Sequence, residues 1–168
     1  MKIGIVYYSR TGNTRKAAQI LEEKFKEEKA EVDLIEIEHV KIPGFLKAGR
    51  TAIKQQELPI KNTNFNMKKY DVIIAGSPTW GGSPSPFIKS FMNRAENIKG
   101  KKVAVFGTGM SPIDKREKFK EIIKDNLESL GVKTNDNFLA LRMKEEQIIE
   151  GEENMDNFVK TVLKNNQR

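Results

Sequence analysis

The chain of 168 residues contains no cysteine. That excludes disulfides, thiolate-held iron–sulfur clusters and a catalytic thiol. Redox chemistry here would need an organic cofactor, or a metal held by nitrogen and oxygen ligands. His39 is the only histidine, and a lone histidine is more often an ordinary packed or surface residue than a ligand, so no metal site is expected. No stretch approaches the roughly 20 consecutive apolar residues of a membrane span. The opening run Met1-Lys2-Ile3-Gly4-Ile5-Val6 is too short in apolar residues for a secretion signal and lacks a small-residue cleavage site. It reads as a first strand, with a cytoplasmic location expected. Two nucleotide fingerprints are also missing. No G-x-x-x-x-G-K-[ST] occurs, and Gly107-Thr108-Gly109 continues into Met110, Ser111 and Pro112 rather than completing G-x-G-x-x-G.

The length suits one domain spanning residues 1–168, large enough to bury a core. Thirty Lys and Arg against twenty-three Asp and Glu leave a formal net charge of +7. Such a balance fits nucleic acid, an acidic protein partner or plain solubility. No motif that reads DNA or RNA is present, so nucleic acid ranks last. The excess is concentrated. Lys41, Lys47, Arg50, Lys54, Lys61, Lys68 and Lys69 face a single anion, Glu57, within residues 41–69. This segment is expected to lie beside the functional site and dock an anionic partner; the bland alternative is a solvated connection. Gly44-Phe45-Leu46 and Ile53 offer it apolar anchors at helical spacing.

Four β-branched apolar runs, at 3–8, 32–37, 72–76 and 103–107, read as strands, with a weaker fifth at 138–141. The first, third and fourth barely alternate, as strands buried on both faces do not. The second alternates with Asp33 and Glu36 and suits a sheet edge. Helical periodicity fills the gaps. Ala17, Ile20, Leu21 and Phe25 share a face after Thr14. Ile88, Phe91, Met92 and Ala95 do so after Pro84 and Pro86. Phe119, Ile122, Ile123, Leu127 and Leu130 follow Asp114 and stop at Gly131. Met155, Phe158, Val159, Val162 and Leu163 form a last helix, and residues 165–168 are expected to fray. Alternating β and α units predict an α/β fold with a doubly wound parallel sheet.

In such a sheet the ligand lies beyond the C-terminal strand ends, at the switch point of strand order. Three unusual loops emerge there. Ser9-Arg10-Thr11-Gly12-Asn13-Thr14 joins a buried strand to a helix N-terminus. Its hydroxyls and amide, a glycine for close approach, free N–H groups and the helix dipole make an anion site. A plain N-cap needs only one such residue. A compact loop of hydroxyls suits a terminal monophosphate. The second loop runs from Ser77 through Pro78-Thr79-Trp80-Gly81-Gly82 to Pro86 and carries the only Trp. That ring suits stacking on a planar ligand, or packing against the sheet edge. The third, Gly107-Thr108-Gly109-Met110-Ser111-Pro112, is another site of close backbone approach, or a glycine-rich turn.

Taken together, Tyr7-Tyr8-Ser9-Arg10-Thr11-Gly12-Asn13-Thr14, Pro78-Thr79-Trp80-Gly81-Gly82 and Thr108-Gly109-Met110 resemble the loops of the flavodoxin family, and the resemblance covers essentially the whole chain. It implies a flavodoxin-like five-stranded sheet of order 2-1-3-4-5 and tight, non-covalent FMN. The first loop would hold the FMN phosphate. The second would flank the isoalloxazine ring with an aromatic and reach flavin N5 with its backbone. The third would lie along the other side. One-electron cycling follows from the same resemblance. The basic charge departs from the acidic flavodoxins, which suggests a redox partner with an acidic docking face. The run Gly82-Ser83-Pro84-Ser85-Pro86 instead resembles the broader flavodoxin-like group that includes NAD(P)H-dependent flavin and quinone reductases. The expected function is an electron carrier between redox partners. The alternative is a reductase that takes hydride from NAD(P)H and passes it to a quinone or flavin. The cofactor supplies the redox chemistry, and no catalytic acid or base is expected.

Overall fold

The computed structural model describes residues 1–164, with side chains throughout except at positions 133–136. The expected fraying of residues 165–168 lies outside the described residues. In chain order the elements are β1 (Lys2–Tyr7), α1 (Asn13–Glu27), β2 (Glu31–Glu36), α2 (Phe45–Ile53), β3 (Val72–Trp80), β4 (Ser83–Pro84), α3 (Pro86–Arg94), β5 (Lys102–Gly109), α4 (Glu117–Ser129), β6 (Lys133–Lys144), β7 (Gln147–Glu150) and α5 (Met155–Lys164). Short 3-10 turns at Ile113–Lys115 and Glu152–Asn154 precede α4 and α5.

Alternate side chains of the central strands enter two separate cores, which is why their sequences are apolar throughout. Ile3 and Ile5 of β1, Val72 and Ile74 of β3, and Ala104 and Phe106 of β5 pack against α1 and α5. Val6, Ile73, Ala75, Val103 and Val105 point the other way, into a core shared with α2, α3 and α4. Gly76 faces the first of these cores, where a Cβ would collide with the Phe106 ring.

The sheet runs β2-β1-β3-β5-β6-β7, with β4 paired to β3 alone. This corrects the expected five strands of order 2-1-3-4-5: among the described residues there are seven. Strands β2, β1, β3, β5 and β6 are mutually parallel. The two extra strands are both antiparallel and both created by two-residue turns. Gly81 and Gly82, at φ 57° and 77°, turn β3 back as β4, and Glu145 and Glu146, at φ 49° and 62°, turn β6 back as β7. Left-handed backbone at both central residues is what a type I′ hairpin requires.

A second correction concerns residues 41–69. The segment is structured by α2, but the expected anchors face outward. Phe45 is 78%, Leu46 95% and Ile53 54% exposed, while Ala48, Thr51 and Ala52 are buried. Small residues let the helix sit close to the sheet, and that fixes its phase. The cations also separate. Lys47, Arg50 and Lys54 belong to α2 and its C-terminal cap, whereas Lys69 pairs with Asp33 at 2.7 Å beside the N-terminal ends of the strands.

Glutamate in left-handed backbone costs roughly 1–2 kcal/mol per residue. The double substitution Glu145→Asn with Glu146→Gly is therefore expected to raise unfolding stability by about 1–2 kcal/mol. Urea denaturation tests this, and an unmoved or lowered midpoint would show that the glutamate side chains offset the backbone strain.

Candidate functional site

The strands of one half of the sheet lead away from β1 toward β2, and those of the other half from β3 toward β5 and β6, so the switch point lies between β1 and β3. Their C-terminal ends are flush: Tyr7 pairs with Gly76, Gly76 with Phe106, and Pro78 with Thr108. The loops that follow β1, β3 and β5 thus open at one place, around a cleft of about 410 Å3. A larger hollow of about 530 Å3 lies between α4, β6 and α5, on the flank rather than at the switch point.

Arg10, Thr11, Asn13 and Thr14 of the first loop line the cleft. So do Pro78, Thr79, Trp80, Gly81 and Gly82 of the second and Thr108, Gly109 and Met110 of the third. Two expected residues stand behind this surface. Ser9 is buried, with an Oγ that lacks a hydrogen-bond partner. Gly12, at φ 91°, is the N-cap residue of α1, where no side chain caps the helix and no acidic residue occupies the first turn. The hydroxyls and amide of this loop therefore do not serve as the N-cap, and the first N–H groups of α1 face the loop without helical partners. The carboxylate of Glu146 packs against Gly12, the anion nearest that helix end on the opposing hairpin.

Each loop is tied to a neighbour. Thr14 and Thr108 share a buried hydroxyl–hydroxyl bond of 2.8 Å. Asn13 Oδ1 accepts from Glu146 N–H at 2.8 Å. Arg142 Nε donates to the Met110 carbonyl at 3.0 Å. The N–H of Ser85, the N-cap of α3, donates to Ser77 Oγ at 2.9 Å, which steadies the far side of the second loop.

Trp80 is both wall and packing. Its ring lines the cleft, stands edge-on to Tyr8 at 5.8 Å and to Phe87 at 6.0 Å, and is only 8% exposed. The Arg10 guanidinium lies 3.9 Å from the Phe45 centroid and 5.5 Å from that of Trp80, a cation held by two rings. His39 packs edge-on to Tyr8 rather than at the cleft. No group of three His, Asp, Glu or Cys residues is placed to hold a metal among the described residues.

Sequence reasoning missed part of the wall. Phe45, Ala48 and Gly49 of α2 complete it, together with Ser111, which belongs to the expected third loop but was not among its expected contact residues. Behind it sits Arg116, 2% exposed, whose guanidinium donates to Thr79 Oγ1 and, at 3.0 Å, to the Ser111 carbonyl. Nothing in the sequence marks it, because it stands just before an amphipathic helix, where a charge is ordinarily solvated.

These features can hold an anion at α1 and a flat ring beside Trp80. Among the described residues the cleft lining holds no carboxylate and no histidine. No helix is long and apolar enough to cross a membrane among the described residues.

The sequence model of a family described as NADPH-dependent FMN reductase matches residues 1–117. A curated flavodoxin of Maridesulfovibrio salexigens is 29% identical over 132 residues, 76% of each chain. The oxidised flavodoxin 2 structure from Bacillus cereus is 27% identical, with 98% of this chain and 99% of that one covered at a TM-score of 0.64. A flavoprotein from Lactobacillus acidophilus, solved in complex with FMN, is 23% identical, covers 94% and 97%, and has a TM-score of 0.66; at that identity the likeness is one of fold.

Burial under Trp80 pushes the Tyr8 hydroxyl up to about 12, and that hydroxyl has no hydrogen-bond partner. The folded state thus resists deprotonation that the unfolded chain undergoes near 10. Tyr8 contributes stability that is complete below pH 10 and is lost as pH rises to about 12, on the order of 2 kcal/mol. Tyr8→Phe should flatten this part of the stability curve and cost little below pH 10, because it removes an unpaired polar atom. Unfolding curves of the two proteins that stay parallel from pH 9 to 12 would contradict the assignment.

Proposed function

The chain belongs to the NADPH-dependent FMN reductase family, with its flavodoxin-like fold, and from this we propose that one domain, residues 1–168, binds a single FMN and passes electrons through it between redox partners in the cytoplasm. The observation that carries the reading is the convergence of three loops on one cleft at the switch point, with an uncapped α1 N-terminus and an unpartnered Ser9 hydroxyl at its base. Orphan donors at that place suit a phosphate. The absence of a second glycine-rich phosphate loop suits a mononucleotide.

In this reading the backbone N–H groups of α1, with Ser9, Thr11, Asn13 and Thr14, hold the phosphate. Of the hydroxyls of Thr14 and Thr108, one donates to the other, and the acceptor keeps its own hydrogen free for the ligand. Trp80 supplies a flat apolar face, while Gly81, Gly82 and Gly109 allow the backbone to reach the ring edge. Bound FMN supplies the redox chemistry, and the protein contributes binding, orientation and electrostatics. The rim bears exposed Phe45, Ile53 and Met110 next to Lys47, Arg50 and Lys54. An apolar and cationic rim suits an acidic redox protein docking over the cleft.

A second reading is supported by α2, which walls the cleft with Phe45, Ala48 and Gly49 and carries Arg50 in its last turn and Lys54 at its C-cap. Those cations suit the phosphates of NADPH, and the chain would then be a reductase delivering hydride equivalents to a quinone or flavin. Anaerobic titration of the FMN-loaded protein separates the two. Bleaching of the flavin by a stoichiometric amount of NADPH supports the reductase. A flavin left oxidised by both NADH and NADPH, yet reduced by dithionite, supports the carrier. Recovery of FAD from denatured protein, or no uptake of FMN on reconstitution, defeats both.

The phosphate assignment has its own test. Thr14→Val is expected to weaken FMN by about 1.5–3 kcal/mol, roughly ten- to a hundredfold, and riboflavin hardly at all. Fluorescence quenching gives both affinities, and equal losses would place Thr14 in loop packing rather than in phosphate binding.

A further inference from the structure

Arg116 is the one guanidinium among the largest fully buried side chains of the described residues. No carboxylate of the described residues forms an ion pair with it. Its Nη1 donates to Thr79 Oγ1 and to the Thr108 carbonyl at 3.4 Å, and Nη2 donates to the Ser111 carbonyl. The Nε–H is buried without a partner. All of these acceptors belong to the second and third cleft loops. Closest of all is Gly109, where a Cβ would lie 2.4 Å from Nη1 and 2.6 Å from Nη2. Only a glycine allows the charge to reach this backbone, and Gly109 lines the cleft.

Burying a charge without an ion-pair partner is costly, and tying Thr79 to Ser111 needs only neutral donors. The charge itself calls for a reason. It lies between the loops and the hollow bounded by α4, β6 and α5, and at 2% exposure it is screened less by water and salt than the half-buried Arg10. Burial lowers its pKa while Glu150, acting from longer range, raises it. A guanidinium stays protonated under these opposing influences.

We propose that Arg116 is an electrostatic positioning residue for a cofactor that becomes more negative on reduction: its fixed positive charge behind the loops favours the reduced cofactor over the oxidised one and raises the cofactor's reduction potential. The inference rests on the FMN reading above. Hydride from a reduced nicotinamide nucleotide brings two electrons and one proton, so the flavin gains one net negative charge while the nicotinamide is oxidised. Arg116 neither gives nor takes the proton. It lowers the electrostatic cost of the added charge.

The test compares wild type, Arg116→Met, Arg116→Lys and Glu150→Gln, each loaded with FMN. The two-electron midpoint potential and the affinity for oxidised FMN are measured at pH 7. Arg116→Met is expected to bind reduced FMN at least tenfold less well relative to oxidised FMN, a drop of about 30 mV or more. Arg116→Lys should retain most of the wild-type potential. Glu150→Gln removes the opposing charge and should move the potential up. Unmoved potentials in Arg116→Met and Glu150→Gln, or an equal drop for Lys and Met, would overturn the inference and leave Arg116 as a tie between loops. If circular dichroism shows Arg116→Met unfolded, Arg116→Gln is measured in its place: a drop of about 30 mV or more supports the inference, and an unmoved potential overturns it. A wild-type protein that takes up no FMN would instead overturn the FMN reading itself.

Discussion

Side chains of β1, β3 and β5 are buried on both faces of the sheet, and that single constraint arranges everything else. A strand with apolar neighbours above and below has no side chain free for chemistry. Polar groups can appear only where the strands end. Because Tyr7, Gly76 and Phe106 sit side by side, the three strands end together. Their loops must share the same few ångströms beyond the sheet. The cleft is thus a consequence of register. The start of α1, which follows β1 directly, delivers its unpaired N–H groups to that place as part of the same geometry.

Loops at such an edge are useful only if they are held. Here each is held by another. The Thr14–Thr108 hydroxyl bond joins the first to the third, and Arg116 joins the second to the third. The Arg142 bond to Met110 and the Asn13 bond from Glu146 fasten the outer two to β6 and its hairpin. The ties leave the Ser9 hydroxyl and the α1 N–H groups without partners. Unpaired buried donors detract from stability, and a native fold retains few of them without a use. Preorganised loops with unpaired donors are what a ligand site needs, since no reorganisation cost falls on binding.

The sequence was legible where local physics decides. Two-faced burial made β1, β3 and β5 readable as continuous apolar runs, and periodicity made α1, α3, α4 and α5 readable. The loop residues were visible because four polar residues around Gly12, and two glycines after the only Trp, are improbable as mere connectors. Legibility ended where tertiary context overrides propensity. Strand β7 hangs on a turn of two glutamates in left-handed backbone, and nothing local favours glutamate there. The phase of α2 was misread because large apolar residues look like anchors, while contact with the sheet selected Ala48 and Ala52. The concentration of cations at 41–69 was real in sequence yet divided in space, because the crossover runs from one edge of the strands to the other. Arg116 was invisible because burial of an arginine depends on acceptors contributed by Thr79, Thr108 and Ser111, none of them adjacent to it in the chain.

Charge joins these observations. The cleft gathers positive features: the α1 N-terminus, Arg10 against Phe45 and Trp80, and Arg116 behind Gly109. None of its lining side chains is acidic. Two carboxylates of the unforeseen hairpin oppose this charge. Glu146 at its tip packs on Gly12, and Glu150 at its end acts on Arg116 from longer range. Antiparallel β7 thus does more than extend the sheet, since it brings negative charge to the outside of a positive site. Such an arrangement offsets the positive cleft without placing an anion inside it, where it would repel a phosphate. The interior of the cleft stays available for negative charge brought by a ligand, and its positive sign is built from the backbone of α1 and a buried guanidinium, neither of which salt or a mobile side chain can easily cancel.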